Sequence, residues 1–189
     1  MKVWKTEIIL SRRSRQLPFD SARLHRILTA NTGTPNTLWS SPRPGVILVQ
    51  SDSPVRPEGF RKDAVSLRSK EIDLVFPQES RVEVAGIVNA TRRLYKPGGR
   101  GPRVPLAFEA IPGWLSRQFS GAASLDSITV EDLSPAKGWR ETGPMIHSRA
   151  GFHAYATITD TAGFAGTLHR GIGRGKRFGC GMITARRLP

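Results

Sequence analysis

The chain has 189 residues, with 29 Lys plus Arg against 15 Asp plus Glu, a formal charge of +14 and one cysteine. So strong a positive excess selects for polyanionic partners, nucleic acid first and an anionic membrane surface second. A lone Cys180 excludes an internal disulfide or a cysteine zinc site, and no apolar run approaches the roughly 18 residues of a membrane span.

In chain order, Val3–Leu10 alternates with Trp4, Thr6, Ile8 and Leu10 on one face, which predicts a half-buried strand. A basic loop containing Arg12, Arg13 and Arg15 follows. Asp20 or Ser21 is placed to cap a helix running to about Ala30, with Leu24, Ile27 and Leu28 at helical spacing. Asn31–Gly45 is rich in Pro, Ser, Thr and Asn and reads as a long loop, and Val46–Val49 as a buried strand. Asp52–Lys62 reads as another loop, and Glu71–Phe76 and Arg81–Val88 as strands, with no convincing second helix between them.

Lys96–Pro102 is basic and flexible in composition and reads as a linker. Beyond it, Ala110–Ser120 carries Ile111, Trp114, Leu115 and Phe119 on a helical stripe, with Pro112 tolerable in the first turn. Ile128–Val130 reads as a strand, and Met145–Ile158 as a strand pair or one long strand. Asp160 or Thr161 caps a last helix through Leu168, and Met182–Arg186 closes as a strand. The β-α-β-β-α-β order is visible in the second half and partly in the first. It predicts an α+β fold of two tandem ferredoxin-like (RRM-like) domains: residues 1–95, a basic linker 96–103, and residues 104–189 ending in a glycine-rich loop.

That loop, Arg170-Gly171-Ile172-Gly173-Arg174-Gly175-Lys176-Arg177-Phe178-Gly179-Cys180-Gly181, interleaves glycines with cations, and no acid follows Asp160. Glycines admit positive φ and close approach of a ligand to the main chain, and successive N–H groups can cradle an anion. The residue after Gly175-Lys176 is Arg177 rather than Ser or Thr, so the mononucleotide phosphate loop fails. The glycine spacing Gly171, Gly173, Gly175 also misses the dinucleotide fingerprint. A polyanionic backbone remains the leading ligand; the alternative is a Gly-rich turn whose cations are merely solvated.

Further positive charge gathers in the acid-free stretch between Glu83 and Glu109, which holds Arg92, Arg93, Lys96, Arg100 and Arg103. The four histidines, His25, His147, His153 and His169, show no metal-ligand spacing, so no metal or cofactor is expected. Cys180 lies between glycines with no base nearby in sequence and reads as a small buried residue. The charged, strand-like Met1–Glu7 predicts no signal peptide, and the protein is expected in the cytoplasm.

The closing glycine-rich tract resembles the signature of the CasE family, the CRISPR repeat-RNA endoribonucleases of type I-E systems. Arg23-Leu24-His25-Arg26-Ile27-Leu28 is similar to that family's N-terminal helix, and Val88-Asn89-Ala90-Thr91-Arg92-Arg93 to its N-P-T-x-R stretch. Val104-Pro105-Leu106, Trp114-Leu115 and Gly151–Asp160 fit in the same order. The resemblance implies metal-free cleavage at the base of a CRISPR repeat hairpin through attack of the substrate's 2′-hydroxyl. It also implies retention on the 3′ hairpin of the crRNA within the Cascade complex, with no membrane role.

By itself His25 reads as a flank histidine packed on a neighbouring loop; the resemblance makes it the candidate catalytic residue, its imidazole suited to proton transfer near neutral pH. The candidate RNA-binding residues are Arg12, Arg13, Arg92, Arg93, Arg100, Arg103, Arg149, Gly173, Arg174, Gly175, Lys176 and Arg177, while Phe178 and Ile172 are expected to pack the loop onto the core. The family often carries Tyr three residues before the histidine. Here that place is Ala22, leaving Ser21, Arg23 or Tyr155 as candidates to contribute.

Overall fold

The structure, a computed structural model, describes residues 1–140 and 143–189, with side chains for all of these except 137–140 and 143–145. Two four-stranded antiparallel sheets organise it. The first is built from β1 (Lys2–Leu10), β2 (Thr37–Arg43), β3 (Val46–Ser51) and β4 (Ala64–Asp73), in the order β2-β3-β1-β4. The second is built from β5 (Arg81–Val88), β8 (Ala123–Arg140), β9 (Gly143–Ile158) and β10 (Ile183–Arg187), in the order β10-β5-β9-β8. In each sheet the first strand in sequence is central, flanked by the third and fourth, and the second lies at the edge. This arrangement is the ferredoxin-like order, present twice.

Helix α1 (Ser21–Thr32) covers the first sheet. Asp20 begins it, its carboxylate accepting from the Arg23 amide at 3.1 Å, and Gly33 ends it in the left-handed region. Leu24 and Leu28 are fully buried against Ile8, Leu10, Trp39, Ile47 and Val49, each contributing about 2 kcal/mol through burial. Helices α2 (Ile111–Phe119) and α3 (Thr161–Arg170) cover the second sheet. Trp114, Leu115, Phe119, Phe164 and Leu168 pack there on Val82, Val84, Ala154, Ala156 and Ile158. Asp160 caps α3, accepting from the Ala162 and Gly163 amides at 3.0 Å each.

Several sequence expectations change. The stretch 31–45, expected to be loop, contains strand β2, whose first four residues are buried and whose ladder to β3 is irregular between Ser40 and Arg43. Pro42 and the serines hide that strand from pattern reading. The strand expected at Glu71–Phe76 lies earlier, at Ala64–Asp73. It is an edge strand of mostly polar residues, fixed by its backbone ladder to β1 rather than by an apolar face.

The linker expected at 96–103 is a β-hairpin, β6 (Thr91–Lys96) with β7 (Gly99–Pro105), turning at Gly98 with φ +72°. Strand β5 pairs with β9 and β10, so sheet membership divides the chain between Asp73 and Arg81, upstream of the expected boundary at 95. Met145–Ile158 lies within one long strand, paired with a β8 that runs well beyond the expected Ile128–Val130. In the first unit an irregular segment with a single 3-10 turn, Pro57–Phe60, stands where a second helix would be, within the stretch expected to be loop.

Candidate active site

The glycine-rich tract follows α3 directly and folds between the two units. Ile172 and Phe178 are buried and anchor it, as expected. The Ile172 amide donates to the Gly181 carbonyl at 2.9 Å, and the Gly181 amide to Ile87 of β5 at 2.6 Å. Two glycines show why the tract needs them. Gly173 has φ +66°, and a Cβ there would meet the Trp114 indole at 2.8 Å; Gly179 has φ +76°, with the Trp39 indole at 2.7 Å. The loop therefore lies flush on one tryptophan from each unit. A short 3-10 turn, Lys176–Phe178, then projects Lys176 and Arg177 toward α1.

There they meet His25. A cleft of about 380 Å³ is lined by His25 and Thr29 from α1, Asn36 to Leu38 at the start of β2, and Arg170, Lys176 and Arg177 from the second unit. His25 is half-buried, and its Nδ1 is buried without a hydrogen-bond partner. Burial, reinforced by the nearby Arg177 guanidinium, holds its pKa below the ordinary histidine value. Lys176 is also lowered, by burial and by Arg170, while its ammonium donates to the Arg170 carbonyl at 2.6 Å. The result is a neutral imidazole facing three cations, with no acid lining the cleft.

On the other side of the loop a second cleft of about 330 Å³ is lined by Asn89, His147, Gly173, Arg174, Gly175, Lys176, Arg177 and Phe178. His147 stacks on Phe178 with ring centroids 4.0 Å apart. An isolated bridge between Asn89 and Arg174 ties the loop to the end of β5, and Asn89 Nδ2 donates to the Ser148 carbonyl at 2.6 Å.

The β6–β7 hairpin continues the positive surface. Arg93 lies directly across from Arg103 in its ladder. Like charges so placed oppose pairing. Arg103 has its pKa lowered by desolvation and then by Arg174, Arg93 and Arg100, so the hairpin cations and the loop form one field. Arg92 stands opposite Val104 on the same exposed hairpin.

Of the expected site residues, His25, Gly173, Arg174, Gly175, Lys176 and Arg177 converge on these two clefts, and Arg93, Arg100 and Arg103 extend them. Arg12 and Arg13 sit in an exposed 3-10 turn between β1 and α1 and line neither cleft. Arg149 donates Nε to the Ser134 carbonyl at 2.8 Å and borders a separate hollow with Val88, Pro105 and Phe108. None of the residues considered to replace the missing Tyr lines the His25 cleft. Ser21 is buried and donates to the Pro18 carbonyl, Arg23 is exposed, and Tyr155 stands edge-on to His153 on the second sheet.

Sequence reasoning missed Arg170, Thr29, Asn36, Asn89 and His147 as lining residues. Arg170 had a signal, its place at the head of the glycine tract; Asn36 and Thr29 had none. Cys180 is buried, with its thiol pushed up to about 12, in keeping with a packing role. A more apolar groove between the outward faces of the two sheets, lined by Leu48, Ile87, Leu133 and Met182 among others, offers Glu131 and His153 but no convergent cations. Among the described residues no cluster of three or more His, Cys, Asp or Glu could hold a metal. No helix among them is long and apolar enough to cross a membrane.

Tandem ferredoxin-like units that bring a helical imidazole and a cationic glycine-rich loop into one cleft define the class of fold. The sequence profile described as CRISPR associated protein matches residues 3–187, and the chain belongs to that family. The fold is that of several solved structures. A CRISPR endoribonuclease Cse3 bound to a 19-nucleotide RNA superposes with a TM-score of 0.85 at 22% identity, covering 98% of each chain. Thermus thermophilus Cse3 bound to an RNA representing a pre-cleavage complex gives 0.81 at 21%, covering 98% of this chain and 100% of that one. Cas6e from Escherichia coli K-12 gives 0.74 at 21%, with 100% of both chains covered. Among curated proteins none matches the sequence.

Proposed function

We propose that the protein is an endoribonuclease that binds the hairpin of a CRISPR repeat RNA and cuts at its base without a metal. The observation that carries this reading is the convergence of half-buried His25 with Arg170, Lys176 and Arg177 in one cleft. Family membership and the Cse3 fold, seen elsewhere on bound RNA, support it. A likeness to a chain of a CRISPR RNA-guided surveillance complex, with a TM-score of 0.72 at 22% identity, supports assembly of the product-bound protein into such a complex.

The chemistry proposed is internal transesterification. The 2′-hydroxyl of the nucleotide before the cut gives its proton to neutral His25 and attacks the adjacent phosphorus. The bond to the 5′-oxygen then breaks, leaving a 2′,3′-cyclic phosphate and a 5′-hydroxyl. A pKa held below the ordinary histidine value keeps the imidazole in its base form at neutral pH. Arg177 and Lys176 stand where phosphorane charge would develop, and such preorganised cations are worth several kcal/mol in a dry cleft. Lys176, with its lowered pKa, is the cation best suited to return a proton to the departing oxygen. The work a phenol would do in orienting the 2′-hydroxyl falls to neutral hydrogen-bonding side chains of the lining, of which Thr29 and Asn36 are two.

The test is incubation of the protein with its repeat RNA in EDTA, beside His25→Ala and a substrate with a 2′-deoxy nucleotide at the cut. Cleavage by the wild type alone, abolished by the deoxy substitution, is the expected result. Tight binding without cutting by the wild type would assign a hairpin-holding role instead, and absence of binding would remove the RNA reading altogether.

A further inference from the structure

The last turn of α3 is held by side chains of the first unit. Gln50 of β3 donates Nε2 to the carbonyls of Leu168 at 2.8 Å and His169 at 3.3 Å. These are helix-end carbonyls, which lack partners within the helix. Just beyond β3, Asp52 Oδ1 lies 2.8 Å from His169 Nε2 and 2.9 Å from Asn36 Nδ2, and those two nitrogens lie 2.8 Å apart. The three side chains form one cluster, with Nε2 donating to the carboxylate in the Nε2–H tautomer. The Thr34 hydroxyl lies 3.3 Å from the other oxygen. Burial tends to raise the Asp52 pKa, but the hydrogen bonds from Asn36 and His169 hold it below the ordinary value, so the group accepts as a carboxylate.

Gln50, Asp52, Asn36 and Thr34 belong to the first unit, whereas His169 closes the last helix of the second. The residue after His169 is Arg170, which lines the His25 cleft, and Asn36 lines that cleft too. The glycine-rich loop starts at the next residue, Gly171. A half-exposed pair such as Asp52–His169 contributes little to overall stability. Its consequence is geometric, because it joins the two units beside the point where their site residues must meet.

We propose that the Asp52–His169 tie, with Asn36 as its third member, is a positioning device. It sets where Arg170, Lys176 and Arg177 stand relative to His25. The proposal rests on the catalytic reading of that cleft. The tie itself touches no reacting atom; it acts through the end of α3 and the loop beyond it.

The test reads His25 directly, in the free protein. The cations facing the His25 ring are Arg170, Lys176 and Arg177, and Arg177 helps depress its titration. Histidine-labelled protein is titrated by NMR as wild type, His169→Ala, Asp52→Ala and His169→Gln, whose amide reaches where Nε2 does. Breaking the tie from either side is expected to move the His25 midpoint up toward the ordinary value, with His169→Gln staying at wild type. In parallel, single-turnover cleavage at saturating repeat RNA is expected to fall about 10- to 100-fold in both Ala variants, as misplacement of site groups typically does, and to recover in His169→Gln.

An unmoved His25 midpoint in both Ala variants overturns the proposal. So does a moved midpoint with an unchanged cleavage rate. If the wild type cuts no repeat RNA, the catalytic reading fails by itself and the titration alone decides whether the tie positions the loop.

Discussion

The two units share one strand order but differ in the segment that leaves their third strand. In the first, β3 leads into residues 52–63, an irregular segment whose regular structure is one short 3-10 turn. In the second, β9 leads into the full helix α3, which ends in Arg170 and hands over to the glycine-rich loop. The first unit thus supplies His25 on α1, and the second supplies the cationic glycine-rich loop that lines the same cleft. A site assembled across two copies of a fold lets one copy hold charge and the other hold the titratable group. Neither half has the convergence alone.

Breaking the contribution of the first unit should have the largest effect. His25→Ala is expected to lower single-turnover cleavage by about 100- to 10,000-fold, the usual span for a lost general base, with RNA affinity in a filter assay largely retained. Breaking the contribution of the second unit comes next. Lys176→Ala should lower the rate roughly 100-fold, and its removal should also weaken binding modestly.

The loop's seating offers a structural counterpart. Gly179→Ala forces a Cβ against Trp39 at φ +76°. It should cost about 1–3 kcal/mol, read as a lowered Tm. At the hairpin, Arg93→Ala with Arg103→Ala should weaken RNA binding and flatten the dependence of log affinity on log salt by about one unit for each phosphate no longer neutralised.

The most delicate comparison is electrostatic. Below its depressed pKa His25 is protonated and cannot serve as base, so the rate falls as pH drops through that value. Arg177→Ala removes a repulsive charge and raises the pKa toward about 6.5. The acid limb of the pH–rate profile should therefore move to higher pH, apart from any loss in the plateau rate.

Reading the chain alone worked where periodicity or a special residue carried information. Asp20 and Asp160 announced helices α1 and α3, and Leu24 and Leu28 marked the buried face of the first. The first half offered no convincing second helix, and the first unit has a single 3-10 turn after β3. Pattern reading failed at β2 and at the β6–β7 hairpin, because Pro42, Pro97 and the glycines at 98, 99 and 101 carry loop signals while the backbone ladder sets the outcome. It also assigned β5 to the wrong half. Ladder partners are chosen by distant strands, and Arg81–Val88 reads the same beside β4 as between β9 and β10.

By itself the sequence determined the charge excess and the glycine-cation tract with Lys176–Arg177, and the family resemblance added His25 as the residue to watch. Only the tertiary structure decided that these belong to one cleft. They lie far apart along the chain, and the distance is closed by seating on Trp39 and Trp114, the Gly181–Ile87 hydrogen bond and the tie at the end of α3. Those contacts join residues with no local relation in sequence. A pairwise geometry of that kind is set by packing between elements, and no periodicity within an element encodes it.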